Sequence, residues 1–271
     1  MVHMADTKTI NIETFEIGPD GARYAVVSDL HTHTRFSHGK GTIEDMVVAA
    51  ISKGLKQIGI SEHGPGNVGF GVPRKKFAMI KAEIIRLRRE YKDIEILFGI
   101  EANIMGPEGR LDIKPVEYDY FDFVCAGWHF SAADGLTPAG IVRTFGNLAR
   151  NKAEKATERQ LRHNTDMYVH AVEAGGIKFL THPGDRAPID MKRVAEACAK
   201  AGTLLEINTS HMSLSMKIMN LIMPTDVGFI INSDAHSPAR VGDFREGCEL
   251  VAASGLDPKR VVNLRKYKKA T

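Results

Sequence analysis

Short apolar runs recur along the chain, and each is followed by polar or glycine-containing residues. Seven of them, rich in Val, Ile, Phe and Leu, cover 24–30 (YAVVSDL), 57–61 (QIGIS), 94–100 (IEILFGI), 121–127 (FDFVCAG), 177–181 (IKFLT), 204–208 (LLEIN) and 228–233 (GFIINS). Each run is too short for a stable helix, and near-continuous apolarity is typical of strands buried on both faces of a parallel sheet. The pattern therefore predicts seven buried parallel strands.

Helical periodicity fills the intervals between these runs. The predicted helices cover 42–53, 73–91, 138–173 (one long helix or two shorter ones), 190–201 and 240–253, and a stripe of methionines predicts another within 211–224. Since strand and helix alternate about seven times, we predict an α/β fold, a distorted (β/α)7 TIM-like barrel. No GxGxxG or GxxxxGK[ST] motif follows a strand, which weighs against a nucleotide-binding open sheet.

Length and composition narrow the class of protein further. We predict a single barrel domain over residues 1–271, with 1–22 as an N-terminal tail or edge segment. The chain has no run of about 18 apolar residues, so no membrane span is expected. Its net charge of +3 is too weak to indicate nucleic acid. Three cysteines without a close pair, and no visible secretory signal, predict a reducing, cytoplasmic location.

Seven of the eleven histidines lie at or just beyond the C-terminal ends of predicted strands. They are His31, His33, His38, His63, His129, His182 and His236, and Glu101 and Asp234 occupy equivalent positions. In a (β/α) barrel these strand ends converge on one rim, where active sites lie. Because residues i and i+2 of a strand share a face, His31 and His33 should project together. Asp29 has the same parity and is expected to orient a ligand from behind.

This set of side chains points to bound metal. Imidazole and carboxylate groups suit Zn, Fe and Mn. Nine candidate ligands exceed the roughly three or four that one zinc ion takes from a protein, so we predict two or three divalent ions, some bridged by a carboxylate. Such a cationic pocket favours an anionic substrate and stabilises charge on phosphate oxygens. A bridging water would become acidic enough to act as a nucleophile. The residues alone thus predict metal-dependent hydrolysis of a phosphoester.

Seven short motifs resemble those of the PHP (polymerase and histidinol phosphatase) family. They are HTH at 31–33, EHGP at 62–65, GIEANI at 99–104, AGWH at 126–129, THPG at 181–184, LEIN at 205–208 and SDAH at 233–236. They are most similar to the small stand-alone phosphatases of the family, the YcdX type, and the resemblance runs from about residue 25 to residue 264. It implies a distorted (β/α)7 barrel, a trinuclear metal centre and phosphomonoesterase activity.

The resemblance also implies a distribution of ligands. Carried over position by position, one ion is held by His31, His33, Glu101 and Asp234, a second by Glu101, His129 and His182, and a third by His38, His63 and His236. The first set supplies the predicted catalytic residues. Family members use Zn, Mn or Fe. The interval from His33 to His38 is a residue shorter than in some relatives, so a dinuclear site without His38 is the alternative.

Three residues outside the ligand set are predicted to bind substrate. Arg186 and Arg240 follow strand ends, and an Arg fork matches the geometry of phosphate. His211 follows the sixth strand and should lie near the rim. Each is also compatible with an ordinary solvated surface residue. The loop 67–76, with its glycines, is expected either to form a wall over the site or to serve as an exposed helix entry.

Three other functions remain open on the residues. A phosphodiesterase or nuclease of PHP type would need a basic groove, and the near-neutral charge counts against it. A metal amidohydrolase also uses HxH on its first strand, but His38, His63 and Glu101 would be surplus ligands. A non-enzymatic metal-binding protein is disfavoured because the ligand set is complete. The expected partner is a small phosphorylated substrate, with neither membrane nor nucleic acid.

Overall fold

Parallel strands and surrounding helices make up most of the chain. The computed structural model describes residues 12–18, 21–132, 137–150 and 155–267. Within these, the strands are β1 (Phe15–Glu16), β2 (Arg23–Val26), β3 (Ser28–Asp29), β4 (Gln57–His63), β5 (Glu95–Met105), β6 (Arg110–Leu111), β7 (Phe123–Gly127), β8 (Phe179–Leu180), β9 (Leu204–Asn208), β10 (Phe229–Asn232) and β11 (Leu264–Lys266). The helices are α1 (Ile43–Ser52), α2 (Phe77–Glu90), α3 (Pro138–Ala149), α4 (Glu158–Glu173), α5 (Met191–Ala201), α6 (Met216–Ile222) and α7 (Arg245–Ser254).

Seven parallel strands form a nearly closed barrel in the order β3-β4-β5-β7-β8-β9-β10. At the rim, β10 and β3 are joined by a parallel bridge between Thr32 and Ala235. The His33 N–H donates to the Ala235 carbonyl at 2.8 Å, and the Ala235 N–H donates to the carbonyl of His31 at 3.2 Å. The predicted distorted (β/α)7 barrel is therefore confirmed.

Two asparagine side chains complete the seam between β3 and β10. Asn263 donates from Nδ2 to the carbonyls of Ser28 (2.9 Å) and Ile231 (2.7 Å), and its Oδ1 accepts the Ile231 N–H (3.1 Å). Asn232 Oδ1 accepts the Leu30 N–H at 2.9 Å. Buried backbone groups that a short strand leaves unpaired must find other partners. The side-chain amides of Asn263 and Asn232 supply these partners where β3 and β10 do not hydrogen-bond each other directly.

The first predicted strand is divided in the structure. Residues of β2 pair with β1 and β11 in a separate three-stranded antiparallel sheet, and only Ser28–Asp29 joins the barrel. Between them the Val27 N–H donates to the carbonyl of Asn263 at 3.0 Å. The chain thus changes partners within one apolar run, which a single-strand prediction misses. Of the predicted tail or edge segment, Phe15–Glu16 forms the edge strand β1, and 1–11 and 19–20 lie outside the described residues.

Helix boundaries follow the capping signals closely. Thr42 caps α1 in a capping box with Asp45, and α5 begins after Asp190 and ends at Gly202 in the left-handed conformation. The segment 138–173 contains two helices, and 151–154 lie outside the described residues. The helix predicted from 73 begins at α2, directly after the 3-10 turn Arg74–Lys76, and the helix predicted from 240 begins only at α7, with four residues between it and the 3-10 turn Pro238–Arg240. The methionine stripe forms the short helix α6.

An apolar plug fills the inside of the barrel below the rim. It consists of buried Leu30, Phe123, Cys125, Phe179 and Ile230. The Phe123 ring needs glycine at 59 and 99, because a Cβ there would lie 2.8 Å and 2.2 Å from the ring. The inside of the barrel is therefore apolar below the rim. No helix in the described part of the chain is long and apolar enough to cross a membrane.

We expect Asn263→Ala to lower the free energy of unfolding by about 2–3 kcal/mol, because it leaves buried backbone groups of Ser28 and Ile231 without partners. Urea denaturation followed by circular dichroism measures the change. Val262→Ala is the control, since Val262 is 42% exposed and its replacement should cost less than about 0.5 kcal/mol. Equal losses in the two variants would show that the amide does not hold the seam.

Candidate metal centre

The C-terminal rim of the barrel carries a dense cluster of histidines and carboxylates. The structure places His31 and His33 after β3, His38 in the following loop, His63 at the end of β4, Glu101 in β5, His129 after β7, His182 after β8, and Asp234 and His236 after β10. Strands β4 and β5 run further than predicted, so Glu101 lies in mid-strand, in register with His63. All nine predicted ligands are brought to one end of the barrel.

Glu101 lies at the centre of this cluster and is fully buried. Its Oε1 lies 3.0 Å from His182 Nε2, 3.3 Å from His129 Nε2 and 3.4 Å from His31 Nε2. Its Oε2 lies 2.7 Å from His63 Nδ1 and 3.6 Å from His33 Nε2. One carboxylate thus faces five imidazoles, as the predicted bridging role requires.

Asp234 is the second carboxylate of the cluster and contacts two of the same histidines. Its Oδ1 lies 3.3 Å from His33 Nε2 and 3.4 Å from His31 Nε2. The Nε2 atoms of these two histidines are 3.1 Å apart. Two imidazole nitrogens and two carboxylates therefore converge on one small volume, which agrees with the first ligand set that the resemblance implies.

Many atoms of the cluster lack hydrogen-bond partners although they are buried. Among the described residues these atoms include His33 Nδ1, His63 Nδ1, Glu101 Oε2, His129 Nε2, His182 Nδ1, Asp234 Oδ1 and His236 Nε2. His63 Nδ1 and Glu101 Oε2 are close but not aligned as a hydrogen bond. Buried polar atoms are normally satisfied, and unsatisfied ones need an explanation such as an ion. Nitrogen and carboxylate donors of this kind fit Zn, Fe or Mn.

Within the part of the chain that the structure describes, three groups of side chains have donor atoms close enough together to hold an ion. They are His31, His33 and Glu101; His63, Glu101 and His129; and His33, His63 and His236. The groups share members, as expected for adjacent ions with bridging ligands. His38 belongs to none of them, but its ring lies 4.9 Å from that of His63 and 4.1 Å from that of His236. It is also more exposed than the other predicted ligands.

The charges of the cluster hold its carboxylates ionised. Burial by itself would raise the pKa of Glu101, but the charges of His129, His31 and His63 outweigh it and hold that pKa well below its usual range. Burial and then the charge of His63 lower the pKa of His33 well below its usual range. For His182, burial is outweighed by the Glu101 carboxylate, which raises the pKa to about 9. At neutral pH His182 therefore carries a proton that a bound cation would displace.

Two predicted ligands sit on strained backbone. His182 has φ +29° and Asp234 has φ +52°, values that residues other than glycine rarely adopt. The His182 N–H donates to Glu206 Oε2 at 2.7 Å, and Asn208 Nδ2 donates to Asp234 Oδ2 at 3.1 Å. Strain of this kind persists only where surrounding contacts impose it, and it is concentrated at functional sites.

Glu206 is the main residue that sequence reasoning missed. It is fully buried and lies 2.8 Å from His31 Nδ1 through Oε1, which also accepts from Asn232 Nδ2 at 2.9 Å. It thereby fixes the orientation of His31, the role expected of Asp29.

Asp29 instead accepts hydrogen bonds from Ser233 and from the Gly242 N–H. Strand β3 ends at Asp29, so strand alternation does not extend to His31. The sequence feature that could have identified Glu206 is its position as a single acidic residue within the apolar strand 204–208.

A second chain of polar side chains supports His129. Asn103 Oδ1 lies 2.8 Å from His129 Nδ1, and Asn103 Nδ2 donates to Asp112 Oδ2 at 2.5 Å. Asp112 also accepts the Asn103 N–H at 2.9 Å and the Gly66 N–H at 2.7 Å. Metal-ligating histidines usually donate their other ring nitrogen to such a group. Neither Asn103 nor Asp112 was identified from the sequence.

A cavity of about 170 Å³ opens above the cluster. Its walls beyond the predicted ligands are Asn67, Phe70, Trp128, Phe130, Ser131, Asp185, Arg186 and His211. Arg186 lies over the Phe130 ring at 5.5 Å, and its Nε is 3.7 Å from Asp185. His211 Nδ1 lies 3.3 Å from Asp185 Oδ2. Arg186 and His211, two of the predicted substrate-binding residues, thus lie where a substrate would enter.

Arg240, the third predicted substrate-binding residue, is not brought to the cavity. Its guanidinium pairs with Asp243 and donates from Nη2 to Ser210 Oγ at 3.3 Å. Arg240 is the last residue of the 3-10 turn Pro238–Arg240. The loop 67–76 does supply part of the wall, through Asn67 and Phe70.

Fold and site together define an α/β-barrel protein whose rim of histidines and carboxylates could hold metal ions. The family model of the PHP domain matches residues 29–210, which include all the predicted ligands except Asp234 and His236. The chain belongs to the PHP domain family. The resemblance identified in the sequence is thereby confirmed.

Curated relatives extend the similarity over most of the chain. It is 30% identical over 252 residues to a protein of Escherichia coli O81 (strain ED1a) named probable phosphatase YcdX, covering 87% of this chain and 89% of that protein. It is 29% identical over 245 residues to a protein of Shewanella frigidimarina (strain NCIMB 400) named probable phosphatase, covering 87% and 88%.

The fold also matches a solved structure, the histidinol phosphate phosphatase of Lactococcus lactis complexed with Zn, L-histidinol and phosphate. The TM-score is 0.57 at 18% sequence identity, and the match covers 86% of this chain and 95% of the other. At that identity the likeness supports the barrel fold alone.

Glu206→Gln should weaken metal binding about 10- to 100-fold, because it removes the charge that orients His31. Zinc titration in competition with a chromophoric chelator measures the change. Glu196→Gln, on the exposed face of α5, is the matched control. An unchanged affinity in Glu206→Gln would exclude the orienting role.

Metal uptake near pH 7 should release about one proton or more per chain, because His182, with a pKa of about 9, is protonated there and must lose its proton to bind. The apparent affinity should therefore rise with pH up to about 9. Calorimetry in two buffers with different ionisation enthalpies measures the release. Identical heats in both buffers would contradict it.

Proposed function

We propose that this protein is a metal-dependent phosphatase, a phosphoric monoester hydrolase that acts on a small phosphomonoester with two to three divalent ions, Zn, Mn or Fe. The observation that carries the proposal is the set of buried potential ligand atoms around Glu101 that lack hydrogen-bond partners. Several of the residues that carry these atoms line a cavity of about 170 Å³. The names of its relatives support phosphatase chemistry, and zinc and phosphate accompany the Lactococcus lactis structure.

The ligand sets of the proposal are those that the resemblance to the PHP family implies, and the groups formed by the geometry differ in part, with His33 beside His63 and His236 and with His63 beside Glu101 and His129. His31, His33, Glu101 and Asp234 would hold one ion, Glu101, His129 and His182 a second, and His38, His63 and His236 a third. When bound, such ions neutralise charge on phosphate oxygens and lower the pKa of water for attack. Glu101 contacts members of all three sets, so we assign it the bridging position. Without His38, a dinuclear centre would remain.

The chain's own residues have separate tasks around such a centre. Glu206 holds His31 in one tautomer and orientation, and Asn103 does the same for His129. Arg186, on the cavity wall, would supply a guanidinium to pair with an incoming phosphate. Asp185 lies against both Arg186 and His211 and therefore restrains the side chains that would bind the substrate.

The size of the cavity supports a small leaving group. A protein cavity of about 150 Å³ holds one benzene molecule, so about 170 Å³ accommodates a phosphate with a small organic part. A nucleic-acid strand would instead need a long basic groove. The three cysteines are buried and unpaired, which supports the proposed reducing, cytoplasmic location.

Hydrolysis of p-nitrophenyl phosphate should exceed that of bis(p-nitrophenyl) phosphate by about 100-fold or more, since the metal cluster favours the doubly charged monoester. The measurement is nitrophenolate release after loading with Zn, Mn or Fe in turn. Preference for the diester would favour the phosphodiesterase alternative, and hydrolysis of neither ester would overturn the proposal.

His31→Ala and Asp234→Ala should each lower kcat about 100-fold or more while the fold is retained, because each removes a donor from the first ligand set. Circular dichroism checks the fold, and Glu196→Ala on the surface of α5 serves as the control. Chelator treatment of the wild type should have the same effect and be reversed by added metal. Full activity in either variant would contradict the assignment.

A further inference from the structure

The most exposed of the nine predicted ligands, His38, is carried by a compact loop. This His38 loop, residues 34–41, joins the rim after β3 to helix α1. The N–H groups of Ser37 and Gly39 donate to the Thr34 carbonyl at 3.2 and 2.9 Å, and the Arg35 N–H donates to Gly41 at 2.9 Å. A Cβ on Gly39 would lie 2.4 Å from the His33 carbonyl oxygen. The loop therefore folds tightly back onto the rim.

A buried carboxylate anchors the first half of this loop. Glu62 is fully buried. Its Oε1 accepts the Thr34 N–H at 3.0 Å and the Thr34 hydroxyl, and its Oε2 accepts the Ser37 hydroxyl. Among the described residues no Lys, Arg or His forms an ion pair with it. Burying a carboxylate is costly unless hydrogen bonds satisfy it, and here all of the satisfying donors belong to the His38 loop.

Strand alternation keeps Glu62 away from the metal cluster. Gly59 faces the apolar plug inside the barrel through Phe123, so His63, which has the same parity, also points inward. Glu62 has the opposite parity and points to the outside of the rim, beneath the loop. It is thus adjacent in sequence to a predicted ligand but contacts a different part of the structure.

The second half of the loop is attached to another predicted ligand. The Lys40 N–H donates to the His236 carbonyl at 2.8 Å. His38 lies between this attachment and the Glu62 anchor, and its ring is nearly parallel to that of His63, at 11°. The loop is therefore held on both sides of the residue whose side chain must reach the centre.

We propose that Glu62 is a positioning residue that holds the His38 loop so that His38 reaches the ligand set with His63 and His236. This inference rests on the proposed metal centre. The loop conformation decides whether His38 lies beside His63 and His236. The hydrogen bonds from Thr34 and Ser37 to Glu62 fix that conformation. A purely structural role for Glu62 would affect stability without acting through His38.

The test is a double-mutant cycle on metal affinity. Zinc binding to wild type, Glu62→Ala, His38→Ala and the double variant is measured by competition with a chromophoric chelator. We expect Glu62→Ala and His38→Ala each to lower the affinity for the most weakly bound zinc ion about 10- to 100-fold. The double variant should be no weaker than His38→Ala, because coupled residues are not additive.

Glu62→Gln should restore affinity to within about threefold, because its amide oxygen can accept from Thr34 and its amide N–H can donate to the Ser37 hydroxyl. Glu249→Ala, an exposed position of α7, is the control. If Glu62→Ala does not fold, Ser37→Ala replaces it in the cycle, with a smaller loss expected.

Additive losses, or wild-type affinity in Glu62→Ala, would overturn the positioning role. Absence of zinc binding by the wild type would instead overturn the proposed function, so the two failures are distinguishable.

Discussion

The buried carboxylate of Glu101 is the group on which the rest of the rim depends. A full negative charge inside a protein is tolerated only when opposite charges, hydrogen bonds or a metal compensate it. Here five imidazoles from β3, β4, β7 and β8 or the segments after them surround it, with donor atoms at 2.7 to 3.6 Å. These groups come from neighbouring strands of one sheet, and closure of the barrel then brings Asp234, after β10, to His31 and His33, so the complete site depends on the fold.

A second layer of polar side chains gives this cluster its geometry. Glu206 orients His31 and holds the strained backbone of His182, and the Asp112–Asn103 pair orients His129. Each of these supporting groups is itself hydrogen-bonded by neighbours. The pattern explains how residues with positive φ, such as Asp234, persist in a site that must keep fixed positions. Below them the apolar plug around Phe123 separates the polar rim from the base of the barrel.

The family relationship and the geometry carry different parts of the functional argument. The chain belongs to the PHP domain family, and its curated relatives are named probable phosphatases. The cavity then distinguishes among residues that look alike in the sequence. Arg186 and Arg240 both follow a strand end, but of the two only Arg186 lines the cavity, and the guanidinium of Arg240 pairs with Asp243 instead.

The sequence by itself determined the alternation of strands and helices, the barrel and the identity of the rim histidines. Apolar runs and the residues that follow them are local features, and barrel topology brings strand ends together. Only the tertiary structure decided that Glu206, not Asp29, supports His31, that residues 24–29 serve two sheets, and that Glu62 anchors the His38 loop. These outcomes depend on where a strand stops and on which distant backbone groups it meets, and no local pattern of residues encodes such contacts.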